Sequence, residues 1–498
     1  MINPFFPLVF LFSGAFLAYA MGRAEHSYKK KYLAAITALI FFITALIVQI
    51  YLATQVWQNG PQSFFIGDSL LTMNALSVLL ALIALILGTI VCLYSITYME
   101  HDKGQEYYYP LLLLLIAGIV GIGLATDFLV LYLFFELMSI PSYALVVFRR
   151  HEWMAIEAGM KYIVMGGVGS ALAFFGISLV YLQTGTLSFS LLIGSLTTTP
   201  VLQLALLFLV IGFGVKAAIV PLHTWLPDAH SAAPSGISAI LSGIVIAAGF
   251  FTMLRSILIF TGTGLAVGQL LIVIALLSMS VGNLMAYSQL SHKQIDLKRI
   301  LAYSSVAQMG YIVLGVGVGL AYGIRIGFEG GLFHIMTHAF MKGLAFLCAG
   351  AIIHQLGTRY LDEMQGIGHS MKTTGFTFTL ALLALAGIPP LSGFMSEWMV
   401  FSAGILTYGV IGWWGIAIAV IALLNALLSL GYYLPIIKTL YSNVENKGIL
   451  KKAKDPNPVM LCAMILLAAI TIILGIWPEL GLRAVKPAVD ILMSIGGV

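Results

Sequence analysis

Long apolar runs separated by short polar breaks recur along the whole chain. Fourteen of them are long enough to cross a bilayer: about 2–22, 32–53, 71–98, 109–126, 127–148, 155–182, 200–221, 235–260, 264–288, 300–321, 328–356, 373–408, 411–437 and 457–476. The first is not a signal peptide, because no positive charge precedes it and Arg23 and Lys29–Lys31 follow it. Prolines end the seventh run and interrupt the twelfth. Lys216 is followed by Pro221 and Pro227, and Pro389–Pro390 interrupts the twelfth run. A proline removes a backbone N–H and clashes with the preceding turn, so the seventh and twelfth helices are expected to break. A bilayer tolerates such a break only where protein or a water-filled cavity satisfies the freed carbonyls.

Composition agrees with a polytopic membrane protein. The chain is 60% hydrophobic and only 9% charged, with mean hydropathy +1.03, against about 25% charged for a soluble domain. The net charge of +5 sits in short loops and does not point to nucleic acid. Cys92, Cys348 and Cys462 all lie in apolar runs without paired spacing, which argues against a disulfide framework, a zinc site or an iron–sulfur cluster. No glycine-rich phosphate loop precedes a soluble helix, so no cofactor is expected. The 51 glycines suit close helix packing in lipid.

Orientation follows from the basic residues. Loops after odd-numbered spans carry Arg23, Lys29, Lys30, Lys31, Lys103, Arg149, Arg150, Lys293, Lys298, Arg299, Arg359, Lys372, Lys438, Lys447, Lys451, Lys452 and Lys454. The opposite side has Arg325, Arg483 and Lys486. This asymmetry places the first group in the cytoplasm and both termini outside.

Charge inside the spans is costly and marks function. Lys161 and Arg255 lie nearer span ends, within snorkelling reach of the interface. Lys216 and Lys342 lie deeper, as do Glu136 and Glu397. Asp127 opens the fifth span, and Glu136 follows nine residues on, about 13–14 Å at helical rise and close to the midplane. Glu136 and Lys216 form a candidate switchable pair: with the lysine near, the acid is charged, and with the lysine away it is neutral. A static ion pair fixing two helices is the alternative. His334, His338 and Lys342 are spaced i, i+4, i+8 and form one helical stripe, suited to a proton relay or to structural hydrogen bonding. A metal would need further ligands from other helices. Glu397 is either the last titratable group before an exit path or a cap for a restarted half-helix. His223, Asp228 and His230 are candidate mouth residues together with Asp127, and helix caps are the alternative.

Pro221-Leu222 is followed by Asp228, seven residues after the proline, and Pro390-Leu391 is followed at the same distance by Glu397. Seventh and twelfth spans are five apart, which suggests two repeated five-helix units.

The motifs FFELMSIPSY, VKAAIVPLHTWLPDAHSAAPS, LKRILAYSSVAQMGY and FHIMTHAFMKGLAFLCAG resemble the antiporter-like subunits of respiratory complex I. The same family supplies large subunits of Mrp-type sodium/proton antiporters and of energy-converting membrane-bound hydrogenases. The resemblance covers about residues 70–440. It implies an all-α core of fourteen helices with two inverted five-helix repeats, at about 109–260 and 264–437, flanked by 1–108 and 457–498 in a single membrane domain. It also implies a central polar axis onto which Glu136, Lys216, His334, His338 and Glu397 map. An acid at Glu397 resembles the Mrp type and one complex I subtype, where others carry lysine. The family's lysine or histidine midway along the eighth helix aligns with Ala247, so water, held by Ser242, is expected to bridge the two halves. SQLSHKQIDLKRI is longer than the usual loop before the tenth helix, and the chain lacks the long lateral helix of the largest complex I member.

The expected function is a proton-translocating subunit of a multi-subunit complex in the cell's inner membrane, with or without exchange for sodium. Any redox chemistry belongs to partner subunits. A non-conducting scaffold subunit and a stand-alone secondary transporter are the alternatives. The latter needs a midplane pocket of varied polar side chains, which the sequence does not offer.

Overall fold

A computed structural model describes residues 3–28, 32–66, 69–443 and 453–496. Lys29, Lys30, Lys31, Lys447, Lys451 and Lys452, which entered the orientation argument, lie outside the described residues. Among the described residues, 14 helices are long and apolar enough to cross a membrane. The protein is an all-α, multi-pass membrane protein.

Helices α1 (Phe6–Tyr28) and α2 (Leu33–Asn59) pack as a pair and lead into a hairpin, β1 (Gln62–Ile66) and β2 (Ser69–Met73). Hydropathy alone starts the third span at 71. Instead Asn74 stops the strand and caps α3 (Ala75–Tyr98), accepting from Ser77 N while Ser77 reaches back to the Asn74 N–H. This reciprocal cap satisfies two of the donors orphaned at a helix start. Then come α4 (Gln105–Leu124), α5 (Phe128–Val146), α6 (Trp153–Thr184), the short α7 (Phe189–Leu192) and α8 (Pro200–Ala217). Thr199 caps α8 with Pro200 at its first position, where a missing N–H costs nothing.

The seventh span breaks as expected. Ala218 adopts a left-handed conformation (φ 52°), and the chain stays irregular until α9 (Leu226–Ala232). The eighth span runs from Ser235 to Phe260 as α10 (Ser235–Ile240), a π-turn over Leu241–Val245 and α11 (Ile246–Ile257). After it come α12 (Val267–Ser288), α13 (Leu297–Tyr322), α14 (Arg325–Leu356) and the short α15 (Ile367–Ser370). The twelfth span is two helices, α16 (Lys372–Leu385) and α17 (Ser392–Leu406), separated by a turn with Gly387 left-handed at φ 67°. Both breaks include a cis X–Pro bond, Val220–Pro221 and Pro389–Pro390. The chain finishes with α18 (Tyr408–Ile411), α19 (Trp413–Tyr441), α20 (Pro458–Ile476) and α21 (Glu479–Gly496).

The eighth and eleventh spans form the middle of the bundle. Their apolar stretches are wholly enclosed by protein, whereas α2 and α19 present Ile40, Ile47, Leu424 and Leu427 outward. Outward leucine and isoleucine cost nothing in lipid, so these faces match a surrounding bilayer. Helix α21 was not foreseen. It buries Val485, Ala488, Val489 and Leu492 on one face and bears ion pairs Lys486–Glu479 (3.0 Å) and Asp490–Arg325 (2.8 Å) on the other. Eighteen residues with two acids and two bases at the polar face are too amphipathic to read as a span, and the hydropathy pattern passed over them.

Candidate functional site

At each break a side chain donates to a carbonyl in the last turn of the interrupted helix. At the first break the Trp225 indole Nε1 donates to Val215 O (2.8 Å), and Val220 N donates to Ser278 Oγ (3.0 Å). At the second, the Gln308 amide Nε2 donates to Leu385 O (3.0 Å). These partners make irregular backbone tolerable at membrane depth. An ionisable side chain lies beside each break: Lys216 in the last turn of α8, and Glu397 five residues into α17.

Lys216 is 2% exposed. Its Nζ donates to Tyr162 OH (2.8 Å) and Ser142 Oγ (3.0 Å), and lies 4.2 Å from the centre of the Tyr143 ring and 4.5 Å from that of Tyr162. Hydroxyls and ring faces solvate a buried ammonium without a counter-ion. Tyr162 is itself fixed by stacking on Trp225 at 4.0 Å. Glu136, half-buried on α5, accepts instead from Ser170 Oγ on α6. No ion pair joins Glu136 to Lys216. Ser142 lies six residues beyond Glu136 on the same helix, about 9 Å at helical rise. In the structure Lys216 is seated on Tyr162 and Ser142, apart from Glu136.

In the other half, His334, His338 and Lys342 follow one face of α14, and all are fully buried. His334 Nδ1 meets Ser396 Oγ at 2.8 Å, and Nε2 meets Gln308 Oε1 at 2.7 Å. Because the Gln308 amide nitrogen already points to Leu385 O, its oxygen faces the imidazole, which assigns the proton to His334 Nε2. The same amide nitrogen lies 3.5 Å from Glu397 Oε1. Lys342 Nζ donates to Leu301 O (3.0 Å) and to Ser304 Oγ. Between them His338, its ring 6.2 Å from that of His334, has neither nitrogen hydrogen-bonded. A buried imidazole with two free nitrogens costs stability, so it marks a place for water or a function.

The middle is apolar. Ala247 is fully buried, and the missing Cβ of Gly249 lets α11 rest on the backbone of Lys216 and Ala217, which a Cβ would approach to 2.7 Å. Ser242 was expected to hold bridging water; its Oγ instead meets Ser305 Oγ at 2.7 Å, next to the Ser304 that holds Lys342. Polar groups thus extend from the histidine half to Ser242. Among the described residues no side-chain hydrogen bond continues from there to Lys216.

The four mouth candidates do not form one group. Asp127 caps α5, accepting from Val130 N (2.9 Å). Asp228 bridges Lys161 (2.8 Å) and Arg299 beside an open crevice lined by Met160, Met165, Thr224 and Trp225. His230 is not at a surface. It is fully buried and stacked on Phe346 at 4.8 Å, and neither of its nitrogens is hydrogen-bonded. His223 is also buried, with Nδ1 unpartnered. Lys161, its side chain half exposed, pairs with Asp228 and Glu157. Arg255 does not snorkel. It turns inward and donates to Ile122 O (2.8 Å), Gly123 O (3.0 Å) and Ala125 O, capping the carbonyl end of α4. Among the described residues no three His, Cys, Asp or Glu side chains converge as metal ligands.

The family described as "NADH:quinone oxidoreductase/Mrp antiporter, TM" matches residues 125–427, which hold both halves of this arrangement. The chain belongs to that family of antiporter-like membrane subunits. A second description, "NADH-Ubiquinone oxidoreductase (complex I), chain 5 N-terminus", matches residues 68–109. The chain is similar to the N subunit of F(420)H(2) dehydrogenase of Methanosarcina mazei, with 34% identity over 84% of each chain. It is likewise similar to a subunit of the Na(+)/H(+) antiporter of Alkalihalophilus pseudofirmus, with 32% identity over 87% of each. Among solved structures it superposes on a chain of the membrane-bound sulfane sulfur reductase, an archaeal respiratory membrane complex, with TM-score 0.87, 25% identity and 98% of each chain covered. A chain of the Mrp complex from Dietzia sp. DQ12-45-1b shares the fold, with TM-score 0.86, 22% identity and 99% of each covered.

For this antiporter-like subunit, reading titratable residues alone missed half of the arrangement. Ser142, Tyr162, Ser170, Ser304, Ser396 and Gln308 carry no charge and so gave no signal of cost at depth. Gln308 was the most legible of them, as an amide in the middle of the tenth span.

Proposed function

We propose that the chain is a proton-translocating membrane subunit of a larger complex, and that it moves protons along Glu136, Lys216, Lys342, His338, His334 and Glu397. The observation that carries this reading is the burial of all these groups except the half-buried Glu136 in one bundle, with every one but the unpartnered His338 held by neutral hydroxyl, amide, carbonyl or ring partners rather than by an opposite charge. A static ion pair would lock its members. Neutral partners leave each site free to exchange a proton at little cost. In the first half, Lys216 moves between its Tyr162–Ser142 seat and Glu136, and the acid changes protonation as the ammonium arrives or leaves. In the second half, Gln308 keeps His334 and Glu397 in register, while the unpartnered His338 links Lys342 to His334. Imidazole and ammonium groups carry protons and not sodium, so protons are the ion this axis fits.

Other membrane subunits are its partners, as the names and titles of its relatives suggest, and any electron transfer takes place in them. The subunit belongs in the cell membrane with both termini outside. Within its single membrane domain, residues 109–260 and 264–437 are two repeats. Their breaks support this: in each, the left-handed residue stands three positions before the proline, and a side chain donates to a carbonyl in the last turn before it.

The test is proton uptake by vesicles containing the purified complex. Glu136→Gln should abolish most transport while the complex still assembles. Normal transport in that assembled variant removes Glu136 from the mechanism.

A further inference from the structure

Between α17 and α19 a cavity of about 330 Å³ opens sideways at membrane depth, and among the described residues Glu397 is the one ionisable group in its wall. Its rim is formed by Trp398, Leu423 and Leu427, all outward-facing, and its sides by Phe394 and Phe401. Glu397 itself is 3% exposed. Its Oε1 lies 3.5 Å from Gln308, and Oε2 has no hydrogen-bond partner among the described residues. Gly387 makes room for that oxygen: a Cβ there would lie 2.4 Å from Oε2, and φ 67° disfavours any residue that has one. An apolar, partly enclosed pocket of this volume with one converging polar group has the form of a small-molecule site.

We propose that this cleft binds a membrane-dissolved amphiphilic amine, whose ammonium pairs with Glu397 and whose apolar body lies against Phe394, Trp398, Phe401 and Leu423. Charge decides the head group. A neutral acyl chain would fill the volume and leave Oε2 unpaired, which costs free energy in a dry site. Size excludes a helix of a neighbouring subunit, since a helix with its side chains is about 10–12 Å across and cannot enter 330 Å³. Depth excludes a phospholipid head, which stays at the interface. A hydrophobic amine can partition into the hydrocarbon, shed its proton on the way in and regain it from the acid. The O–H of the carboxyl breaks, an N–H forms, and the resulting ion pair is held where water is scarce. An occupant there sits on the last group of the proposed axis, so such amines would also block it.

The experiment uses native membranes containing the assembled complex. A photoreactive decylamine is compared with the matched decanol, and labelled peptides are mapped. The amine should label α17 and α19 saturably, in competition with unlabelled dodecylamine, and at least about 10-fold more than the alcohol, as expected for a desolvated charge pair. Glu397→Gln should remove that preference. Leu423→Trp, which fills the cleft without touching the acid, should abolish labelling by both. Equal labelling by amine and alcohol would overturn the proposal and leave a lipid-chain groove. So would labelling confined to the isolated subunit and absent from the complex, because a partner's side chain would then occupy the cleft. Binding is read here without transport, so failure of this site leaves the proposed axis standing, and the reverse also holds.

Discussion

Lys216 holds Tyr162 at 2.8 Å and has no ion pair with Glu136, although both lie in the same buried region of the first half. The structure shows one seat for the ammonium, built of hydroxyls and rings, and in the proposed mechanism the acid offers the second. Tyr162→Phe weakens the first seat by one hydrogen bond to a charge, about 1.5–3 kcal/mol. The lysine should then rest against Glu136, and transport should slow by roughly 10-fold or more. The initial rate of proton uptake in vesicles checks this. An unchanged rate would mean that the seat plays no part in turnover.

The stripe on α14 leads to a second comparison. Replacing His334 and His338 together by Ala should impair transport more than Lys342→Ala, because the two imidazoles stand between Lys342 and Glu397. Equal loss in both variants, or disappearance of the protein from membranes, would favour a packing role. Gln308→Leu gives a sharper version. It leaves His334 Nε2 and Leu385 O without partners, each at about 1–3 kcal/mol, and should lower both the melting temperature of the complex and its transport rate.

These cases show what the sequence could and could not tell. Hydropathy located the spans because lipid demands apolar length, and Pro221 and Pro389–Pro390 marked both breaks, although Pro141 and Pro435 stand inside unbroken helices. The charged residues of the axis were visible for the same reason: charge in an apolar run is conspicuous. Their partners were not. Ser142 and Tyr162 meet Lys216 from 74 and 54 residues away in sequence, and nothing local marks a serine or tyrosine in a membrane helix as a ligand of an ammonium. Arg255 was read as snorkelling because distance from a span end is a local property, whereas its carbonyl partners belong to α4, more than a hundred residues earlier.

Arg255→Met should be strongly destabilising. The change removes the side-chain donor from Ile122 O and Ala125 O, each costing about 1–3 kcal/mol when buried and unpaired, while Gly123 O keeps Ser77 Oγ (2.7 Å). Yield of the protein in membranes should fall, and Arg255→Lys should restore part of it, since a lysine keeps the charge but not the forked donors. Full yield of Arg255→Met would show that water reaches these carbonyls.

Outside the spans, Asp455 binds the start of α16. It accepts from Thr373 N (3.0 Å), Thr374 N (3.0 Å) and Thr374 Oγ1 (2.8 Å). Burial pushes its carboxyl up, but the hydrogen bonds from Thr374 and Thr373 outweigh that and hold it below the usual carboxylate range. A lowered folded value means the contribution to stability is fully present above the unfolded value, about pH 3.9, and is lost as pH falls through the folded one. Hydrogen exchange at the amides of Thr373 and Thr374, corrected for its intrinsic pH dependence, should therefore show protection above about pH 4 that fades below it. Asp455→Asn should lose most of this protection at neutral pH. Protection that is the same in both proteins would separate Asp455 from the stability of this helix start.

The last prediction concerns the apolar middle. Ala247 is fully buried, so the possibility that it faces lipid is removed, and the remaining question is whether water occupies the space between Lys216 and Ser242. A lysine at 247 would cost roughly 2.5–3.5 kcal/mol for a dry ammonium at this depth, and overpacking would add about 1–3 kcal/mol. A hydrated gap reduces both costs, because water solvates the charge and can be displaced. Ala247→Lys should then assemble at reduced yield and change the pH dependence of transport, since a fixed charge would stand between the two halves. Ala247→Cys should react with a water-soluble thiol reagent in the assembled complex. If that cysteine stays unreactive and the lysine variant fails to assemble, the middle is dry, and protons do not pass from Lys216 to Lys342 by this route.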